Sequence, residues 1–435
     1  MPQPPCVCRR IVLAALILLA AAGGLPAAAP SAMNSVAERY VQLVLAVGQH
    51  DADYVDAYYG PPALKAAAET EKAPMATLRA RVAPLRRELA TVDLAGADEL
   101  IRLRHGYLDR QLASVESRIA LLEGAKLSFD EESRQLYDAV APSYPESHFQ
   151  RLLAELEPAL PGAGTLAERL EAFRRGFVIP PGRIDAVFQA AIAAARARTL
   201  QHLTLPAGES FVVEYVTDKP WSAYNWYKGG FHSVIQVNTS LPIFIDRAID
   251  LACHEGYPGH HVYNVLLEKH LVRDRGWVEF SVYPLFSPQS LIAEGTGNYG
   301  ITVAYPDQER LAFVRDVLFP LAGLDPARAA DYDRVLRLTR QLSYAGNEAA
   351  RRYVNGEIDA ASAADWLTRY ELMEPARARQ RVKFIARYRS YVINYNFGED
   401  LVAAYVERLA GGAPKERWRI FGELISSPRL PSGIR

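Results

Sequence analysis

A proline and a glycine stand side by side within a long apolar stretch, and that step constrains the chain more than any other feature. Phe244 to Leu251 before it and Val262 to Leu267 after it have the apolar texture of helix. Pro258-Gly259 between them cannot be ordinary helix. Proline lacks the N–H, and its ring crowds the carbonyl four residues back, here that of His254; glycine accepts dihedrals that other residues avoid. His254-Glu255 precedes the step and His260-His261 follows it. In an unbroken helix, residues six apart differ by about 240° around the axis and ~9 Å along it. His254 and His260 would then face apart. A two-residue bulge at Pro258-Gly259 brings His260 back over His254 and turns His261 toward neighbouring side chains. The competing expectation is that one helix ends here and another begins, with histidines at the surface.

Three of the nine histidines fall within eight residues, beside a glutamate, and metal sites draw on such clusters. A catalytic zinc site takes three protein ligands and keeps one position open. A nearby carboxylate then acts as the proton acceptor. The economical version is His-Glu-x-x-His on one helix; here the second histidine comes two residues late, which the bulge repairs. The third ligand should come from a later helix. Glu294, in Leu291-Ile292-Ala293-Glu294-Gly295-Thr296-Gly297, follows an apolar approach and sits among small residues that allow close backbone contact. Buried there, its charge needs a partner; the alternative is an exposed glutamate at a helix start. His232, entering a strand ahead of the histidine motif, is a candidate donor to a developing oxyanion.

The remainder reads as mainly α-helical. Amphipathic segments run from Val36 to Val47, Leu78 to Leu89 (interrupted by Pro84), Leu100 to Leu122 and Ile184 to Leu200, and Ser128-Phe129-Asp130-Glu131 has the form of a capped helix start. From Glu209 the texture changes. Phe211 to Val216 is β-rich, Pro220 to Lys228 is aromatic and loop-like, and Ser233 to Asn238 alternates as a strand with one wet face. That strand is a candidate edge for an extended peptide, and Trp221, Tyr224, Trp226 and Tyr227 are candidate subsite walls. The expected fold is a helical, metallopeptidase-like body with a small β-sheet element beside a deep active-site cleft. Residues 33–435 form a single domain in this reading, with an N-terminal helical part (33–205) and a metal-site part (206–435).

Residues 1–32 read as a signal peptide: Arg9-Arg10, an apolar run from Ile11 to Ala22, then small residues around Ala27-Ala28-Ala29. The run is shorter than the ~20 apolar residues of a membrane span. Export to the periplasm or the medium is expected, with an uncleaved membrane anchor as the alternative and no span once the segment is removed. Cys6 and Cys8 leave with it, so lone Cys253 excludes an internal disulfide. With 49 basic and 50 acidic residues the net charge is −1, which excludes the basic footprint of a nucleic-acid binder. Oligomeric state has no signal here.

His254-Glu255-x-x-Pro258-Gly259-His260, followed 40 residues after His254 by Glu294-Gly295, resembles the bacterial proteins grouped as domain of unknown function 885. These are similar to zinc peptidases with a glutamate third ligand. The resemblance takes in Asp53 to Pro62 and Tyr395-Asn396-Phe397-Gly398-Glu399, and so most of the chain beyond the signal segment. It implies zinc on His254, His260 and Glu294, Glu255 as the base, and Tyr395 as an oxyanion donor, with Tyr391 one turn earlier as a lesser candidate. There are departures. Thr296-Gly297 stand where the family has Trp-Ala, and Val354 to Ile358 lacks the Asp and His of an upstream family segment.

The function expected is that of a zinc-dependent hydrolase, a metallopeptidase cleaving amide bonds of short peptides, with Glu255 moving the proton. Two alternatives stay open: a zinc hydrolase of another amide or ester, and a secreted peptide- or metal-binding protein without turnover. Glu255 beside the metal motif argues against the last, since a binder needs no base.

Overall fold

The computed structural model describes residues 1–2, 29–219 and 221–435. The apolar run behind the signal-peptide reading, with Cys6 and Cys8, lies outside the described residues. No helix among the described residues is long and apolar enough to cross a membrane.

The fold is mainly α-helical, with two small sheets. The first described helix, Ala29–Val47, turns Val36, Tyr40, Val44 and Val47 inward with no exposed surface, the period of a helix with one dry face. It packs with Met75–Ala90 and Glu99–Leu122. Pro84 sits inside Met75–Ala90 without ending it. Ser128 caps Phe129–Tyr137 with Glu131 in a reciprocal capping box, which fixes that helix start.

β1 (Val55–Tyr58) pairs antiparallel with a short strand, Val282–Pro284, far along the chain. The larger sheet has β2 (Ser210–Val216), β3 (Ala223–Gly229) and β4 (His232–Asn238) in the order β2-β4-β3. β2 runs parallel to β4, and β3 antiparallel to it. Two sequence expectations are corrected here. The aromatic segment expected as a loop is strand β3 over most of its length. β4, expected as an edge, is the central strand, hydrogen-bonded on both sides, so no peptide can add to it. Its alternation comes from one face of a central strand packing on helices: Ser233, Ile235 and Val237 are buried and their neighbours are not.

The helix Pro288–Ala304 threads the interior and is buried on nearly every side. It packs against Ile393–Ala410. The main apolar core among the described residues runs from Met33 to Ile434, joining the N-terminal helices to those around the histidine motif.

Candidate metal centre

The helix Asp246–Leu251 does not continue regularly into the motif. It widens into a π turn, Ala252–Gly256, closed by Tyr257 N–H to Ala252 C=O at 2.9 Å. The next bond is wider still, Gly259 N–H to Cys253 C=O at 2.9 Å, and a new helix starts at His260 and runs to Leu267. The chain therefore breaks and restarts, yet keeps the two histidines together: their ring centroids are 4.5 Å apart. Widened helical turns of this kind recur at functional sites. Gly259 is required by space, because a Cβ there would lie 2.0 Å from the His254 carbonyl oxygen.

Glu294 enters from Pro288–Ala304. Its Oε2 lies 3.4 Å from His254 Nε2 and 3.8 Å from His260 Nε2. Two groups bound to one zinc ion at ~2.0–2.1 Å and tetrahedral angles sit roughly 3.3–3.4 Å apart, so the carboxylate oxygen stands near ligand spacing from both imidazole nitrogens. Glu294 Oε2 is also buried without a hydrogen-bond partner, whereas Oε1 accepts from the Tyr391 hydroxyl at 2.8 Å. A buried, unpartnered carboxylate oxygen is costly, and a cation between it and the imidazoles satisfies it. The donor set fits zinc on this ground.

His254 is oriented from behind. Its Nδ1–H donates to Asn298 Oδ1 at 2.9 Å, and Asn298 Nδ2 donates to the Tyr395 carbonyl at 2.9 Å. This leaves Nε2, the atom facing Glu294, with a free lone pair, as metal-ligating histidines require. Gly297 makes room for the ring: a Cβ there would stand 3.0 Å from its Cε1 and Nδ1.

Glu255 belongs to the same cluster; it, His254 and His260 offer donor atoms all within 4.8 Å of one another. Its backbone carbonyl accepts from Asn225 Nδ2 on β3 at 2.7 Å. Burial pushes its carboxyl pKa up, and the negative Glu294 adds to this against the pull of His254. Burial would raise Glu294 too, but the close imidazoles of His254 and His260, with the Tyr391 hydroxyl, hold it below its ordinary value. Burial alone would lower His254; the adjacent Glu294 carboxylate and the charge of Glu255 overcome that and raise it. His260 is lowered, by burial and then by the charge of His254.

His261 points away from the cluster into a fully buried network, with Ser233 and Glu209 as its partners. Tyr395 lies one turn from Tyr391, ring centroids 5.7 Å apart. Burial, then the charge of Glu294, hold its hydroxyl well above the ordinary tyrosine pKa, so it stays a donor. His232 is not brought to the cluster. The strand alternation that buries Ser233 against His261 turns His232 to the other face of the sheet, where its Nδ1 meets Ser210 Oγ at 3.2 Å. It makes no hydrogen bond to His254, His260 or Glu294 among the described residues.

A cavity of about 1140 Å³ adjoins the cluster. Asn298 and Tyr395 stand where the two meet, and Trp221, Arg247, Glu371 and Arg381 line the wall beyond. Asp56, on β1, is a further carboxyl nearby, partly buried. Burial first, then the charges of Glu294 and Glu255, raise its pKa to about 7, and the Tyr224 hydroxyl donates to it.

Asn298, Asp56 and Glu209 were not assigned from sequence, and Tyr391, a lesser oxyanion candidate there, is hydrogen-bonded to Glu294. Asn298 had a readable signal, one helical turn after Glu294 on the same face. The others meet the site only through tertiary contact.

No family model matches the chain, and no curated protein sequence matches it. Among solved structures, a candidate lipoprotein from Colwellia psychrerythraea superposes with a TM-score of 0.51 at 16% identity, over 81% of this chain and 64% of that one. The chain thus spans 64% of the length of the Colwellia protein, and the likeness is one of fold. An M32 carboxypeptidase from Deinococcus radiodurans gives a TM-score of 0.45 at 14% identity, covering 92% of this chain and 91% of its own. A structure designated BsuCP gives 0.48 at 9% identity, covering 92% and 90%.

Proposed function

We propose that this chain is a zinc-dependent hydrolase, a metallopeptidase acting on short peptides, with His254, His260 and Glu294 holding the metal. The observation that carries this reading is the unpartnered, buried Oε2 of Glu294, facing the Nε2 atoms of both histidines at 3.4 and 3.8 Å. When bound, zinc polarises a substrate carbonyl and makes water nucleophilic near neutral pH.

The chain's own residues do the rest. Glu255 accepts a proton from water and returns it to the leaving amine; its raised pKa suits a base that must later act as an acid. Tyr391 fixes Glu294 through Oε1, and Asn298 fixes the His254 ring. Tyr395, kept protonated, donates to the oxygen that gains charge as the carbonyl is attacked. The adjoining cavity has room for a short peptide rather than a folded chain.

Metal analysis of protein purified without added metal tests the site. About one zinc per chain is expected, lost in His254→Ala and in Glu294→Ala. Digestion of a peptide library, read by mass spectrometry, tests the reaction. Full zinc retention in both variants would overturn the ligand assignment, and an untouched library would overturn the peptidase reading.

A further inference from the structure

Next to the cluster, outside the lining of the cavity, lies a second set of polar groups that the chemistry above does not use. Glu209, just before β2, is 7% exposed. Its Oε2 accepts from the Tyr257 hydroxyl at 2.7 Å and from His261 Nε2–H at 3.0 Å. Its Oε1 accepts from Arg196 Nη2 at 2.6 Å. His261 passes the chain on, its Nδ1 accepting from Ser233 Oγ at 2.8 Å. Ser233 and His261 have no exposed surface, so no substrate reaches this serine, histidine and glutamate, and they are not a second catalytic centre.

Their position gives them another use. Tyr257 and His261 are the residues on either side of the Pro258-Gly259-His260 step. One carboxylate oxygen ties both to a single point, and β2 and β4 anchor that point through Glu209 and Ser233. Across this step the backbone has none of the regular helical bonds that would otherwise hold it: the bonds closing it reach back five and six residues, from Tyr257 to Ala252 and from Gly259 to Cys253. The rotation of His260 relative to His254 therefore has no helical register to set it. Side chains must do so, and those of Tyr257 and His261 bracket His260.

We propose that Glu209 is a positioning residue for the metal centre: by holding Tyr257 and His261 together it keeps His260 Nε2 turned toward His254 and Glu294. The inference rests on the zinc reading and adds to it a residue that touches neither metal nor substrate. Arg196, on the outer side of Glu209 with its side chain 45% exposed, is the lesser member, because Glu209 keeps its two inner partners without it.

The test is zinc affinity by chelator competition on the full chain, with the melting temperature of the metal-free protein measured alongside. Outer partners of metal-ligating histidines are worth about 10–100-fold in metal affinity. Glu209→Ala and Glu209→Gln are expected to weaken zinc binding by that amount in protein that is still folded. Tyr257→Phe, which cuts one arm, should give a smaller loss, and Arg196→Ala the least. A purely structural role would lower the melting temperature of the metal-free protein and leave the affinity of the folded fraction unchanged. Zinc binding within twofold of the unaltered chain in both Glu209→Gln and Tyr257→Phe overturns the proposal, whether or not Glu209→Ala folds. Failure of the unaltered chain to bind zinc overturns the metal reading itself, and the positioning role with it.

Discussion

Glu255 and Glu294 are buried carboxylates beside the same two imidazoles, and their surroundings separate their tasks. Glu294 takes a hydrogen bond from Tyr391 and faces the imidazoles of His254 and His260, which together favour its ionised form. For Glu255, burial and the neighbouring Glu294 favour the protonated form. One suits a fixed ligand and the other a group that gains and loses a proton. Glu255→Gln keeps the size and removes the proton acceptor. Zinc content and melting temperature should stay near those of the unaltered chain, while turnover falls by roughly 100-fold or more, the range of general base catalysis. Wild-type turnover in that variant would remove Glu255 from the mechanism. At this scale the sequence was informative because histidine and glutamate are chemically conspicuous. His254, Glu255, His260 and Glu294 were singled out from residue type and spacing, and the fold brings all four together. His232 was conspicuous in the same way, but strand alternation turns it elsewhere. Glu209 looks like any surface acid until the fold buries it, and Asp56 until the fold sets the Tyr224 hydroxyl against it.

The elements around the site depart from regular geometry at the histidine motif. The expected two-residue bulge is in fact a π turn, a non-helical step and a fresh helix start. Pro258-Gly259 announced a departure from helix because the missing N–H and missing Cβ are local properties. Around it, Tyr257 and His261 bond to Glu209 and the Glu255 carbonyl to Asn225, partners that no local pattern contains. The sheet was harder for the same reason. Alternation reports which face of a strand is wet, not how many neighbours it has, so β4 read as an edge although it is central. β3 was hidden by its flanking proline, lysines and glycines, despite aromatic residues that favour strands. The helix Pro288–Ala304 offers the sharpest test at this scale. Gly297→Ala puts a methyl group 3.0 Å from the His254 ring. Overpacking of this kind costs about 1–3 kcal/mol, so the protein should still fold. The ring must move, and its hydrogen bond to Asn298 with it. Zinc affinity, read by chelator competition, should drop about tenfold or more, the scale set by loss of an outer partner. Unchanged affinity would mean that the helices can part without disturbing the ligand.

At the scale of the whole molecule, the N-terminal helices and the metal-site half are held together by more than apolar contact. Arg104, on Glu99–Leu122, pairs with Glu279 through Nε–Oε1 at 2.6 Å and Nη2–Oε2 at 3.1 Å, and neither side chain has any exposed surface. A third nitrogen donates to Asn34 Oδ1 at 2.7 Å, and the guanidinium lies over the Trp277 ring. Removing one partner of such a pair strands the other charge at a cost of about 3–5 kcal/mol. Arg104→Ala should show that loss in denaturant unfolding, and a loss below about 1 kcal/mol would place the pair among surface ion pairs. A second whole-molecule property, stability against pH, turns on Glu371 in the cavity wall. Burial raises its pKa from 4.5 to about 7 against the pull of Arg381, and its Oε2 has no hydrogen-bond partner. The folded chain thus holds a proton that the unfolded chain gives up above about pH 4.5. The contribution of Glu371 to stability is complete below that pH, falls as pH rises toward about 7, and is lost beyond it. At 1.36 kcal/mol per unit the change is at most about 3 kcal/mol. Glu371→Gln carries no titrating proton, so its stability should fall less between pH 5 and pH 8, and it should gain on the unaltered chain at the upper end. Unfolding free energies of the two proteins across that range decide it: parallel curves would mean that water reaches the Glu371 carboxylate and solvates its charge.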